Sequence, residues 1–297
     1  MKASIDTNMF KLILVSLLCL LTSCGVNNTA ASESDSVSDI QKEADIAILM
    51  YHHFDSNVTS DMIVSAETFD MHMRTLKEAG YTAVTFDELV DYVENGTPLP
   101  DNPVCITMDD GYLSNYTIAW PILQKYGMKA TIFVVGAAAG WTHYRDTDYS
   151  YIPKFTWEQA REMENSGYVD IQSHTYDLHH WPPYEVGDRV IRPNALPLEG
   201  ETDAEYTNVL IDDIEKYTAV FQKELGKTPF VLAYPNGKYN DLCEEIMHEH
   251  GFKVTLTVNS HPNRLVYGDE SSLYLLGRYT VNNSVTAEKL LSTVSGE

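Results

Sequence analysis

Short apolar runs alternate with longer stretches whose apolar residues recur at helical spacing, from Ile46 nearly to the end of the chain. Residues 46–50, 81–85, 104–108, 130–135, 168–172, 230–233, 254–258 and 273–276 are brief and mostly apolar or β-branched, which predicts buried strands. Between them, 66–79, 86–94, 116–126, 156–166, 203–225 and 242–250 read as amphipathic helices. In the first of these, Phe69, Met73 and Leu76 share one face and Gly80 supplies the stop. Repeated strand–helix alternation with apolar strands predicts an α/β fold: a parallel sheet covered by helices, either open and doubly wound or closed as a barrel. In both, working residues collect at the carboxyl ends of strands. Polar clusters do follow three of the apolar runs.

The chain ahead of Ile46 has a different character. Lys2 and Lys11 precede the apolar run 12–21, which is too short to span a bilayer. Basic, then apolar, then small residues is the order of a signal peptide. The break Leu21-Thr22-Ser23-Cys24 resembles the bacterial lipobox, in which Cys24 becomes the lipidated first residue of the mature protein. Residues 25–41 are rich in Asn, Ala, Ser and Asp and cannot bury enough surface to fold. The expected organisation is a signal peptide over 1–23, a tether over 24–45 and a single domain over 46–297. That places the protein outside the cell, held by lipid at the outer face of a bacterial membrane. Cys105 and Cys243 are scattered within apolar segments and read as free core thiols. The formal charge of −23 excludes nucleic acid as a partner, because phosphate binding needs a basic face.

The first cluster is Asp109-Asp110-Gly111, directly after the run ending at Met108. Adjacent carboxylates repel, so a cation taking one and leaving the other as a base would settle the conflict. The second, after 168–172, is Ser173-His174-Thr175-Tyr176-Asp177-Leu178-His179-His180. Two imidazoles and a carboxylate suit a divalent ion that keeps a position open for water. The third is Tyr234-Pro235-Asn236-Gly237, a turn whose N–H groups can face a cleft.

Together the three clusters resemble the polysaccharide deacetylase family, carbohydrate esterase family 4 or NodB homology domain, over roughly 46–280. The phrases Ile48-Leu49-Met50-Tyr51-His52-His53, Trp157-Glu158 and Gly277-Arg278-Tyr279 support the likeness. The His174/His179 spacing looks most like the branch acting on poly-N-acetylglucosamine. The resemblance implies a distorted (β/α) barrel of seven or eight strands and a divalent metal, usually zinc, with cobalt or nickel also suited to His₂Asp. It implies hydrolysis of N-acetyl groups on an N-acetylglucosamine-containing polymer, whether exopolysaccharide, peptidoglycan or a chitin-like oligomer. Asp109 matches the family's general base; Asp110, His174 and His179 match its metal ligands. Tyr234 and Asn236 fall on its third motif, where substrate and oxyanion are held, the latter by the Asn236 N–H.

Two positions depart from the family. Its third motif often opens with an Arg that orients the base, where this chain has Ala233; Arg278 is the expected replacement. The usual late Leu-x-His acid is missing, and His52, at the first strand end, is the expected acid, with His53 and His261 as rivals. His180 competes with His179 as ligand. Trp141, Trp181 and Tyr184 lie in polar loops and could flank a glycan, whereas Trp120 and Trp157 read as core. An inactive glycan-binding protein on the same fold is the competing reading, resting on Ala233.

Overall fold

The structure, a computed structural model, describes residues 42–296, so the signal peptide, Cys24 and most of the tether lie outside the described residues. Strand β1 (Glu43–Tyr51) begins ahead of the apolar run because Glu43–Ile46 pair with a segment late in the chain. A small ribbon follows, β2 (His53–Phe54) with β3 (Ile63–Val64). Helix α1 (Ala66–Glu78) is capped by Ser65 and buries Phe69, Met73 and Leu76 as their spacing predicts. After β4 (Thr82–Ala83), α2 (Phe86–Asn95) and β5 (Pro103–Met108), the expected helix over 116–126 divides. Asn115–Ala119 form a π turn and only α3 (Trp120–Tyr126) is regular.

Next come β6 (Ala130–Val134), α4 (Trp157–Asn165), β7 (Val169–Ser173) and α5 (Asp203–Leu225). Both helices open on capping boxes, Thr156 with Gln159 and Thr202 with Glu205. The chain ends with β8 (Val231–Ala233), α6 (Asp241–Glu249), β9 (Val254–Leu256), β10 (Asn263–Val266), β11 (Tyr279–Thr280) and α7 (Ala287–Ser295).

The strand order is β10-β1-β5-β6-β7-β8-β9, parallel except for β10, which runs antiparallel to β1. Strand β11 pairs with Leu49 and Met50 of β1, and just before it Leu276 bridges Leu256 of β9. The segment from Leu276 to Thr280 thus links the far strand back to the first and curls the sheet into a distorted (β/α) barrel. The strand expected over 273–276 is not there: Glu270–Leu273 form a 3₁₀ turn and only Leu276 pairs. Leu273 and Leu276 are apolar because they pack in the core, and burial rather than strand pairing gave the run its pattern. Cys105 and Cys243 are buried and unpaired, and Trp120 and Trp157 pack against the core as expected. No helix among the described residues is long and apolar enough to cross a membrane.

Candidate active site

The Asp109 N–H donates to Tyr51 O at 3.1 Å, so the backbone keeps strand pairing one residue past β5. It then turns left-handed at Asp110 (φ 70°) and Gly111 (φ 66°). A Cβ on Gly111 would lie 3.3 Å from the methyls of Val134, so this tight reversal suits glycine. The reversal sends two neighbouring carboxylates to different places. Asp109 is 2% exposed, and its oxygens accept from both terminal nitrogens of Arg278 at 2.6 and 2.8 Å. Arg278 is itself fully buried and donates from Nε to Thr257 O. Burial alone would raise the Asp109 carboxyl; the Arg278 guanidinium overrides it and holds the group below the usual carboxylate range.

Asp110 faces the histidine loop. That loop leaves β7 through Thr175 (φ 68°), and Asp213 of α5 accepts the N–H groups of Tyr176 and Asp177 at 2.7 and 2.8 Å. The loop curls, bringing His179 back beside His174. Asp110 Oδ1 lies 3.5 Å from His174 Nε2 and 3.4 Å from His179 Nε2, and the three ligand atoms fall within 4.8 Å of one another. His174 Nδ1 is 2.7 Å from Ala233 O, and His179 Nδ1 is 3.2 Å from Pro193 O. A carbonyl only accepts, so each Nδ1 carries its hydrogen and each Nε2 presents a bare lone pair. One carboxylate oxygen and two such nitrogens fit a divalent ion of the zinc, cobalt or nickel type.

Burial takes His174 down to about 4. Burial also works to lower His179, but the Asp110 carboxylate overrides it and the net direction is upward. His180 joins a different network: its Nδ1 accepts the Arg192 N–H, and its Nε2 is 3.6 Å from Asp177.

His52 leaves the end of β1 with Nε2 3.9 Å from Asp109 Oδ2, and burial lowers its pKa. Its two rivals are placed elsewhere: His53 Nδ1 sits on Ser114 Oγ at 2.8 Å, and exposed His261 lies against Pro262 O. Asn236, at φ 56°, donates its side chain to Pro193 O, while its backbone N–H makes no hydrogen bond among the described residues. Tyr234 does not meet its expectation as a substrate contact. Its hydroxyl donates to Glu244 at 2.5 Å, its N–H donates to Leu256 O, and its fully buried ring stacks on Tyr239. Strand alternation after Ala233 turns it toward the helices behind the sheet.

A family model described as polysaccharide deacetylase matches residues 96–255, which hold Asp109, Asp110, His174, His179 and the turn at Asn236. The chain belongs to the polysaccharide deacetylase family. It is 30% identical over 217 residues to YxkH of Bacillus subtilis strain 168, covering 73% of this chain and 66% of that one. Poly-beta-1,6-N-acetyl-D-glucosamine N-deacetylase of Escherichia coli strain K12 is 26% identical over 85% of this chain, which spans only 40% of that protein. Among solved structures, a de-N-acetylase from Aggregatibacter actinomycetemcomitans superposes with a TM-score of 0.69 at 26% identity, covering 84% of this chain and all of the other.

In this member of the family the site opens into a cavity of about 470 Å³. Trp141, Trp181 and Tyr184 line it, as the loop reading expects, together with Tyr112, Tyr144 and Tyr151. Its wall is two loops locked together. Arg145 donates to both oxygens of Asp177 at 2.9 and 2.7 Å and to Glu185 at 3.1 Å, while the Tyr144 hydroxyl joins Glu185 and Trp181 N. Lys154 also lines the cavity, 5% exposed, its Nζ 3.4 Å from the centroid of the Tyr112 ring. Burial lowers its pKa to about 8. Sequence reasoning missed Lys154, Arg145 and Asp213. Lys154 and Arg145 lie in an irregular loop and Asp213 on a helix among other acids, where no spacing marks them; the density of Trp and Tyr over 141–151 was the one available signal.

Proposed function

We propose that this chain hydrolyses N-acetyl groups of an N-acetylglucosamine-containing polysaccharide, releasing acetate and leaving a free amine, with a divalent metal held by Asp110, His174 and His179. The observation that carries this reading is the division of labour between adjacent carboxylates, Asp109 locked on Arg278 and Asp110 converging with two bare imidazole nitrogens. A bound ion of this class supplies Lewis acidity toward the amide oxygen and lowers the pKa of water from 15.7 toward about 7. Asp109, kept ionised by Arg278, accepts the proton as water adds to the acetyl carbon. The free Asn236 N–H donates to the developing oxyanion. His52 returns a proton to the amide nitrogen as the C–N bond breaks, so the amine leaves neutral. The reading as an inactive glycan binder rested on Ala233, and the Arg278 contact to Asp109 takes away that ground.

The name of the Escherichia coli relative supports poly-β-1,6-linked N-acetylglucosamine as one substrate, and the motif spacing agrees. The leader over 1–23 and a lipid on Cys24 would place the enzyme at the outer face of a bacterial membrane, with 24–45 as its tether. Zinc is the expected ion. The test is release of amine and acetate from N-acetylglucosamine oligomers with zinc or cobalt, with chelator, and with Asp109→Asn. Release abolished by both chelator and substitution supports the proposal. No release from a chain carrying one tightly bound metal would refute plain N-acetylglucosamine oligomers as the substrate and point to peptidoglycan or a non-sugar amide.

A further inference from the structure

One charged group in the cavity has no part in that chemistry. Lys154 is 5% exposed and lines the same cavity as Asp110 and His179, yet its ammonium makes no hydrogen bond or ion pair with any described residue. It rests on ring faces, 3.4 Å from the Tyr112 centroid and 5.4 Å from that of Tyr151. An unpaired buried charge is costly, and cation–π contacts return only part of the loss. The other buried cations around the site are all matched: Arg278 by Asp109, Arg145 by Asp177 and Glu185, Arg192 by Glu201. Asp110 attracts Lys154 across the cavity, but it lies beyond ion-pair distance and is engaged by two imidazoles. A metal beside Asp110 would add positive charge and leave Lys154 still more in need of an anion.

The charged groups that share the lining, Asp110, Asp177 and Arg145, already have partners, while Ile63, Trp141, Ile152 and Tyr184 offer flat apolar surface suited to a sugar ring. A neutral N-acetylglucosamine residue offers hydroxyl and carbonyl oxygens to an ammonium but no charge to offset it. We infer that the cavity takes an amino sugar bearing an anionic substituent, a carboxylate or a phosphate, whose charge pairs with Lys154. This deepens the deacetylase reading and rests on it for the reaction, though not for the binding. The chain as a whole carries −23, so long-range attraction cannot imitate such a preference; it has to be local.

The test compares kcat/KM of the metal-loaded full-length chain on three tetrasaccharides: plain N-acetylglucosamine, the same chain bearing a lactyl carboxylate, and one bearing a 6-phosphate. At least one anionic substrate is expected to be preferred, and which one identifies the substituent. Lys154→Met should lower the anionic-to-neutral ratio about tenfold or more, the usual worth of a charged hydrogen bond, and Lys154→Arg should restore part of it. An unchanged ratio in Lys154→Met, or equal loss on all three substrates, overturns the inference. Calorimetric binding of the same sugars to zinc-loaded Asp109→Asn, which needs neither turnover nor a folded Lys154 variant, separates the two readings. Tighter binding of an anionic sugar without turnover by the wild type would keep the inference and sink the deacetylase. Equal affinities with normal turnover would do the reverse.

Discussion

Asp109 and Asp110 are neighbours in sequence but belong to halves of the site that are built differently. The floor, Asp109 with Arg278 and His52, hangs from the barrel itself at the ends of β1 and β5 and beside β11, with both charged partners almost wholly buried. The rim, His179 with Arg145, Asp177, Glu185 and Lys154, hangs from two loops that hold each other by side-chain bonds. Strand register fixes the floor to within the tolerance of a hydrogen bond. The rim is fixed by side-chain bonds and by scattered backbone bonds, such as His180 N–H to Arg192 O, with no strand register to order them. On the proposed reading, the rim apart from His179 can therefore be rebuilt for another sugar while the chemistry stays constant, the usual division between scaffold and loop.

The contrast can be broken most sharply at the floor. Asp109→Asn is expected to cost about 10²–10⁴ in kcat, the range for a lost general base, with metal stoichiometry unchanged by elemental analysis. If metal is lost as well, floor and ligand set are one unit and the comparison fails. Arg278→Met leaves the buried Asp109 charge without its partner and should cost about 3–5 kcal/mol of stability in urea unfolding at pH 7. The sign follows from the lowered Asp109 pKa. The pair stabilises the fold above the ordinary carboxylate value near pH ~4 and loses that contribution as pH falls through the lower folded value. In the variant, the acid limb of kcat/KM should move to higher pH.

At the rim the effects should be graded. His179→Ala should lower metal affinity at least about 100-fold by equilibrium dialysis, and His180→Ala hardly at all; the opposite order would shift the ligand by one residue. Asp213→Ala releases two N–H groups that curl the histidine loop and should weaken metal affinity about tenfold, the low end for an outer support. A larger loss there than at His179 would mean that the loop, not the ligand, dominates the rim.

The same contrast explains what the sequence discloses. Floor and ligand residues follow apolar runs, so their place at strand ends could be read from Met108 to Asp109 and from Gln172 to His174. The barrel followed from the same alternation. Arg278 could be suspected only because Ala233 left a vacancy, and its reach to Asp109 depends on a segment expected to be a strand over 273–276 that pairs only at Leu276 and again at β11. Tyr234 failed because motif position says nothing about which face of a strand end a side chain takes. Lys154 and Arg145 were illegible because loop-to-loop bonds between 145 and 177 or 185 leave no local period. Strand β10 and helix α7 escaped notice for a milder reason: one is short and half exposed, the other lies beyond the last motif.

The bond between Arg278 and Asp109 joins positions 169 residues apart. During synthesis, Asp109 emerges long before its counter-charge, and bringing the two ends together is entropically demanding. Until Arg278 and its neighbours arrive, Asp109 has no partner to keep it ionised in a dry setting, and the barrel has no seam. A chain cut short before Arg278 would thus lack the charge partner of Asp109 and the closure of the barrel together.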